Sequence, residues 1–134
     1  MVSTALERLV NFSRSVWGLP EILFDFDKFN IRDDAKVHLD KLVDKLSRYP
    51  QIDIAIGSHT DKRGTEAYNE KLSQERATST MNYLIEKGID TNRVTAKGYG
   101  ESKPKVDCDD HECSDAEHQI NRRSEFVIIV KKEE

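Results

Sequence analysis

Apolar and polar residues alternate along this chain with two different periods, and the switches between them outline its elements. Ile52, Ile54 and Ile56 alternate with Asp53, Ala55 and Gly57, the period of a strand that buries one face. Ile31, Ala35, Leu39, Leu42, Val43 and Leu46 recur instead at helical spacing. Asn30 reads as the N-cap of that helix, with Asp33 and Asp34 in a first turn whose dipole favours anions, and Pro50 stops it. Glu21 to Phe26 reads as a strand ahead of it. After a polar loop through Gly64, a longer helix carries Leu72, Ala77, Met81, Leu84 and Ile85. Gly88 stands where a left-handed residue ends a helix, and Ile89 is placed for the accompanying apolar contact. Arg93 to Tyr99 is a third strand, Ala116 to Arg123 a short helix and Phe126 to Val130 a final strand. Between the last two strands, Gly100 to Asp115 is a long acidic excursion containing Pro and Cys. The order β-α-β-α-β-loop-β predicts an α/β (α+β) domain, a mixed sheet with helices packed on one face.

Ahead of this domain, Thr4-Ala5-Leu6-Glu7 has the spacing of a capping box. Leu6, Leu9, Val10, Val16 and Trp17 follow at helical spacing until Gly18 and Pro20. Residues 1–20 therefore read as an amphipathic helix or a linker from an upstream region, and residues 21–134 as one domain. The length of 134 residues suits a single core. A net charge of -4 argues against nucleic acid, whose phosphates want a basic surface. No apolar run approaches the roughly 20 residues that cross a bilayer. Arg8 and Arg14 interrupt any apolar signal region, which taken literally places the chain in the cytoplasm.

The chemistry concentrates between Gly57 and Ala77. Asp61 falls just past a predicted strand, where open α/β sheets place ligands, and Gly64 permits a tight turn. Ser73 reads as the N-cap of the long helix, which puts Arg76 in a first turn that prefers anions. A zwitterionic ligand accounts for that placement. An α-amino acid centre presents an ammonium beside a carboxylate, and an acceptor-only anion next to a donor fork holds both. The helix N-terminus would then help Arg76 attract the carboxylate.

The run Gly57-Ser58-His59-Thr60-Asp61-Lys62-Arg63-Gly64 is followed by Tyr68-Asn69, Leu72-Ser73, Arg76-Ala77, Gly88-Ile89, Lys97-Gly98-Tyr99-Gly100-Glu101 and Asn121-Arg122-Arg123-Ser124-Glu125-Phe126. This order resembles the OmpA-like domain over about residues 22–130. That domain ends outer-membrane OmpA-type proteins and occurs in peptidoglycan-associated lipoproteins and flagellar-motor stators. The resemblance implies a βαβαββ sandwich that performs no catalysis, needs no cofactor or metal, and binds peptidoglycan through the free amino acid centre of diaminopimelate. It implies that Asp61 takes the ammonium and Arg76 the carboxylate. By the same resemblance Asn69 is expected to hydrogen-bond ligand or loop, Arg122 to reach the pocket rim, Asp27 to be a polar pocket residue, and Thr60 and Gly64 to contribute backbone contacts around Asp61. It further implies a mature fragment of a longer exported protein, at the periplasmic face of the outer membrane, held to that membrane by its parent and not by insertion of this segment.

Simpler readings compete. Asp61 could cap the following turn, and Arg76 could be a surface cation beside Gln74 or Glu75. His59 and Asp61 form an HxD pair, but two residues do not make a metal site. Cys108 and Cys113, the only cysteines, lie five positions apart in an insertion that resembles Bacteroidetes versions of the domain. In an exported protein they are expected to form a local disulfide, which would stabilise by only about 2 kcal/mol and so serves to shape the loop. The rival is a metal-binding hydrolase or redox protein built on Cys108, His111, Cys113 and His118.

Overall fold

The computed structural model of the protein describes residues 21–130. The helix expected in residues 1–20 and the charged tail lie outside the described residues. Four strands form one mixed sheet: β1 (Ile22–Leu23), β2 (Ile52–Ser58), β3 (Val94–Gly98) and β4 (Arg123–Val130), in spatial order β1-β4-β2-β3. The β2–β3 pair is parallel, while β4 runs antiparallel to both β1 and β2. Helices α1 (Asp33–Arg48) and α2 (Glu66–Glu86) are the crossovers, and the shorter α3 (Asp115–Asn121) leads into β4. The mixed sheet with helices on one face is as expected.

Along β2 burial alternates strictly, with Ile52, Ile54, Ile56 and Ser58 turned inward. They meet Leu39, Leu42 and Leu46 of α1, Ala77 and Leu84 of α2, and Phe126 and Ile128 of β4. On the opposite face of β4, Val127 and Ile129 are exposed. α1 carries acids in its first turn and Lys45 and Arg48 in its last, complementing its dipole at both ends. α2 ends in a Schellman motif: Ile89 N–H donates to Leu84 O and Gly88 N–H to Ile85 O, with Gly88 at φ 106° and Ile89 buried.

Several boundaries differ from the sequence reading. α1 is preceded by Arg32, not Asn30, and Arg32 uses its side chain to pair with Asp34. β1 is two residues long where Glu21 to Phe26 was expected. β4 starts three residues earlier, because Arg123 and Ser124 are polar yet buried. The largest correction concerns α2. Thr65, not Ser73, is its N-cap, accepting the Tyr68 N–H at 3.2 Å. Ser73 sits inside the helix, fully buried, and donates to Glu70 O. Arg76 therefore lies about three turns in, and the helix terminus does not act through it.

Ser73 is where α2 presses closest on the sheet. Its hydroxyl accepts the Gly100 N–H at 2.8 Å, and a Cβ on Gly98 would lie 2.3 Å from Gln74 N and 2.4 Å from Ser73 Oγ. Backbone cannot yield as a side-chain tip can. Gly98→Ala is therefore expected to destabilise the domain by about 3 kcal/mol, as overpacking does. The urea midpoint checks this, and an unchanged midpoint would show that helix and strand separate freely.

Candidate functional site: a cavity lined by two aspartates and three arginines

Beyond the C-terminal end of β2, the segments after β1 and β2, the first half of α2 and the residue before β4 enclose a cavity of about 500 Å³. Asp27, Thr60, Asp61, Gly64, Asn69, Arg76 and Arg122 all line it, together with Phe26, Arg63, Thr65, Tyr68 and Leu72. All seven positions expected from the sequence are thus gathered on one concave surface.

Arg76 is fully buried. Its Nε donates to Lys28 O at 2.8 Å, Nη1 to His59 O at 3.1 Å and Nη2 to Asp25 O at 3.0 Å. A guanidinium carries five N–H groups, so two have no protein acceptor among the described residues. No carboxylate of the described residues makes an ion pair with it. Burial, with the Arg122 charge adding, pushes its pKa down to about 10, which leaves it charged at neutral pH. The surface-cation reading of Arg76 is excluded.

Asp61 is also buried but amply paired. Arg63 grips it in a fork, Nε to Oδ1 at 3.2 Å and Nη2 to Oδ2 at 2.9 Å, and Arg122 Nη1 reaches Oδ2 at 3.1 Å. The Arg63 N–H donates to Oδ1 at 3.0 Å, so the turn-capping role is real as well. Burial opposes the Asp61 charge, but the hydrogen bonds from Arg63 and Arg122 outweigh it and hold its pKa below the usual carboxylate range.

These features coincide with a known lineage. Residues 23–118 match the OmpA family. The chain belongs to the OmpA family. It is 42% identical over 107 residues to the peptidoglycan-associated lipoprotein of Rhizobium meliloti, covering 80% of this chain and 58% of that protein. It is 37% identical over 108 residues to outer membrane porin F of Pseudomonas fluorescens, covering 81% of this chain and 32% of the porin. The crystal structure of the peptidoglycan-associated lipoprotein from Burkholderia pseudomallei superposes with a TM-score of 0.75 at 30% identity, over 81% of this chain and 89% of that one. The chain spans between 13% and 61% of the length of the curated relatives compared.

Within this OmpA-family domain, the remaining site residues divide between bracing and lining. Asn69 Nδ2 donates to Arg63 O at 3.0 Å and to Glu101 Oε1 at 2.8 Å, tying the Asp61 loop to α2. Gly64 takes φ 96°, which only glycine adopts without strain. Thr60 differs from expectation: its N–H is occupied by Gly100 O, while its buried hydroxyl has no partner among the described residues. Arg122 lies deeper than a rim residue, buried with Nε on Phe24 O at 2.9 Å. Asp27 accepts a hydrogen bond from Tyr68 O–H across the mouth.

Arg63, Phe26 and Tyr68 were missed as lining residues. Arg63 stacks over the Phe26 ring at 4.3 Å, and its place two residues after Asp61 was the available signal. Cys108 and Cys113 are joined in a disulfide, as expected. With neither sulfur a thiolate, the metal set of Cys108, His111, Cys113 and His118 loses the ligands it requires. The disulfide loop also supports the site, since Lys62 Nζ donates to Cys108 O at 2.8 Å. No helix of the described residues is long and apolar enough to cross a membrane.

His59 does not join Asp61. It stacks on Tyr99 with ring centroids 5.4 Å apart, and its Nε2 lies 3.3 Å from Glu125. Burial, reinforced by Arg123 and Lys103 against Glu125, pushes its pKa from 6.5 to about 4. The unfolded chain therefore binds the extra proton first, so this contribution is complete above pH 6.5 and lost as pH falls toward 4. The loss should reach at most about 3 kcal/mol. Denaturant titrations between those pH values should show a flatter profile for His59→Gln than for the parent chain. Identical slopes would remove His59 as the cause.

Proposed function

We propose that this domain binds peptidoglycan without converting it, by holding the free amino acid centre of diaminopimelate in the stem peptide between Asp61 and Arg76. The ligand carboxylate meets the free N–H groups of Arg76, and the ammonium meets Asp61. The observation that carries the reading is Arg76: a buried cation held only by carbonyls, facing the same cavity as a buried carboxylate. Removing an ion from water costs several kcal/mol, and an entering carboxylate supplies the compensation that the folded chain withholds. The names of the relatives, peptidoglycan-associated lipoprotein and outer membrane porin, fit a role in tethering a longer envelope protein to the wall from the periplasmic side. One amino acid centre offers few contacts, so each domain binds modestly and many copies on one wall hold by avidity.

Titration calorimetry with a diaminopimelate-containing muropeptide tests the assignment. Asp61→Asn keeps the shape of the side chain but loses its charge, and Arg76→Lys keeps the charge but loses the fork. Each should weaken binding by about 10- to 100-fold, the worth of charge-assisted hydrogen bonds. Circular dichroism confirms that the variants are folded. Wild-type affinity in folded Asp61→Asn would sink the reading.

A further inference from the structure

Asp61 has no lone pair to spare. An ionised carboxylate offers about four acceptor positions. Asp61 fills them with the Arg63 N–H, Nε and Nη2 and with Arg122 Nη1. A ligand ammonium must therefore evict a donor. Arg122 is poorly placed to leave, being buried, fixed to Phe24 O and continuous with the start of β4. The Arg63 backbone N–H is part of the turn. The Arg63 guanidinium is different: its side chain is 37% exposed, and Asp115, fully exposed, already lies 3.9 Å from Nη1 as an alternative partner.

We propose that the Arg63 guanidinium is a displaceable placeholder in the ammonium subsite, an inference that rests on the peptidoglycan reading of the cavity. Without ligand, it neutralises a carboxylate that would otherwise be buried with Arg122 as its sole cationic partner, at a cost the fold would bear continuously. When the ligand enters, its ammonium takes the lone pairs that Nε and Nη2 held, and the guanidinium leaves the Phe26 ring and swings outward toward Asp115. Only a side chain moves. The turn itself stays fixed by the Arg63 N–H on Asp61 and by Asn69 on Arg63 O. No proton changes hands. Binding is then an exchange of one cation for another, and the net gain comes from the carboxylate arriving at Arg76. Arg63 therefore sets the affinity of the pocket by competing for it.

The test compares the full chain with Arg63→Met, which keeps an unbranched stem and removes the competing cation. Calorimetry with the diaminopimelate muropeptide should show tighter binding by Arg63→Met, by about three- to tenfold, the worth of a partly exposed charge-assisted pair. In ¹⁵N spectra of the wild type, the Arg63 Nε–H signal should be protected from exchange without ligand and lose that protection at saturation. Parent-like or weaker binding by Arg63→Met, with the wild type still binding, would overturn the placeholder and leave the peptidoglycan reading standing. So would an Arg63 Nε–H signal that keeps its protection at saturation. Failure of both proteins to bind would overturn both readings. A lost helix or interface contact would not produce a gain in affinity, so the sign of the change separates competition from mere structural support.

Discussion

The buried guanidinium of Arg76 is the constraint around which the functional end of the domain is arranged. It reaches from the middle of α2 to carbonyls on two other segments, Asp25 and Lys28 after β1 and His59 after β2. Those carbonyls must converge, and the chain bends to make them do so. Lys28 N–H closes a turn on Asp25 O at 3.2 Å, and between them Asp27 adopts φ 59°, a left-handed conformation that aspartate tolerates better than most residues. The same turn carries Asp27 to the cavity mouth, where Tyr68 meets it. A single cation thus sets the loop after β1, the loop after β2 and the shape of the cavity between them. The Phe24 ring, 5.2 Å from the guanidinium carbon, closes the apolar side.

This arrangement explains why the two helices were not equally legible. In α1, Ala35, Leu39, Leu42 and Leu46 announce an apolar face at helical spacing, and the structure buries all four. Through most of α2, from its first turn to Thr80, the residues at that spacing are Asn69, Ser73, Arg76 and Thr80, and all of them are buried too. The period is helical but the chemistry is polar, so a reading that tracks hydrophobicity starts the helix late and takes Ser73 for its cap. Thr65, three residues before the Tyr68 N–H that it caps, was the true start signal. β4 was shortened for the same reason: Ser124 is buried because its hydroxyl bonds Ser58 and Thr80, partners that lie far off in the chain. That Asp61 and Arg76 share one cavity was legible because a carboxylate and a guanidinium are complementary in chemistry. The hold of Arg63 on Asp61 was not, since it depends on which rotamer a long side chain selects. The capping box of α3, Ser114 with Glu117, is by contrast a signal carried by the local sequence alone.

These polar exceptions are not scattered. They occupy one end of the molecule, and the opposite end is conventionally apolar, with Leu46, Ile52, Leu84, Ile89 and Val94 buried together. The apolar core and the polar cavity are therefore separated along the axis of β2, whose inward residues run Ile52, Ile54, Ile56 and then Ser58. Ser58, Ser124 and Thr80 form a hydroxyl layer between the two ends, and Thr80 returns its hydrogen to Arg76 O. A layer of this kind ties side chains that have few alternative partners, so it rigidifies the floor beneath Arg76 more than it stabilises the fold. A stiff floor of this kind keeps the guanidinium aimed at the cavity. The domain can carry a buried, uncompensated cation at one end because the apolar end does not depend on it.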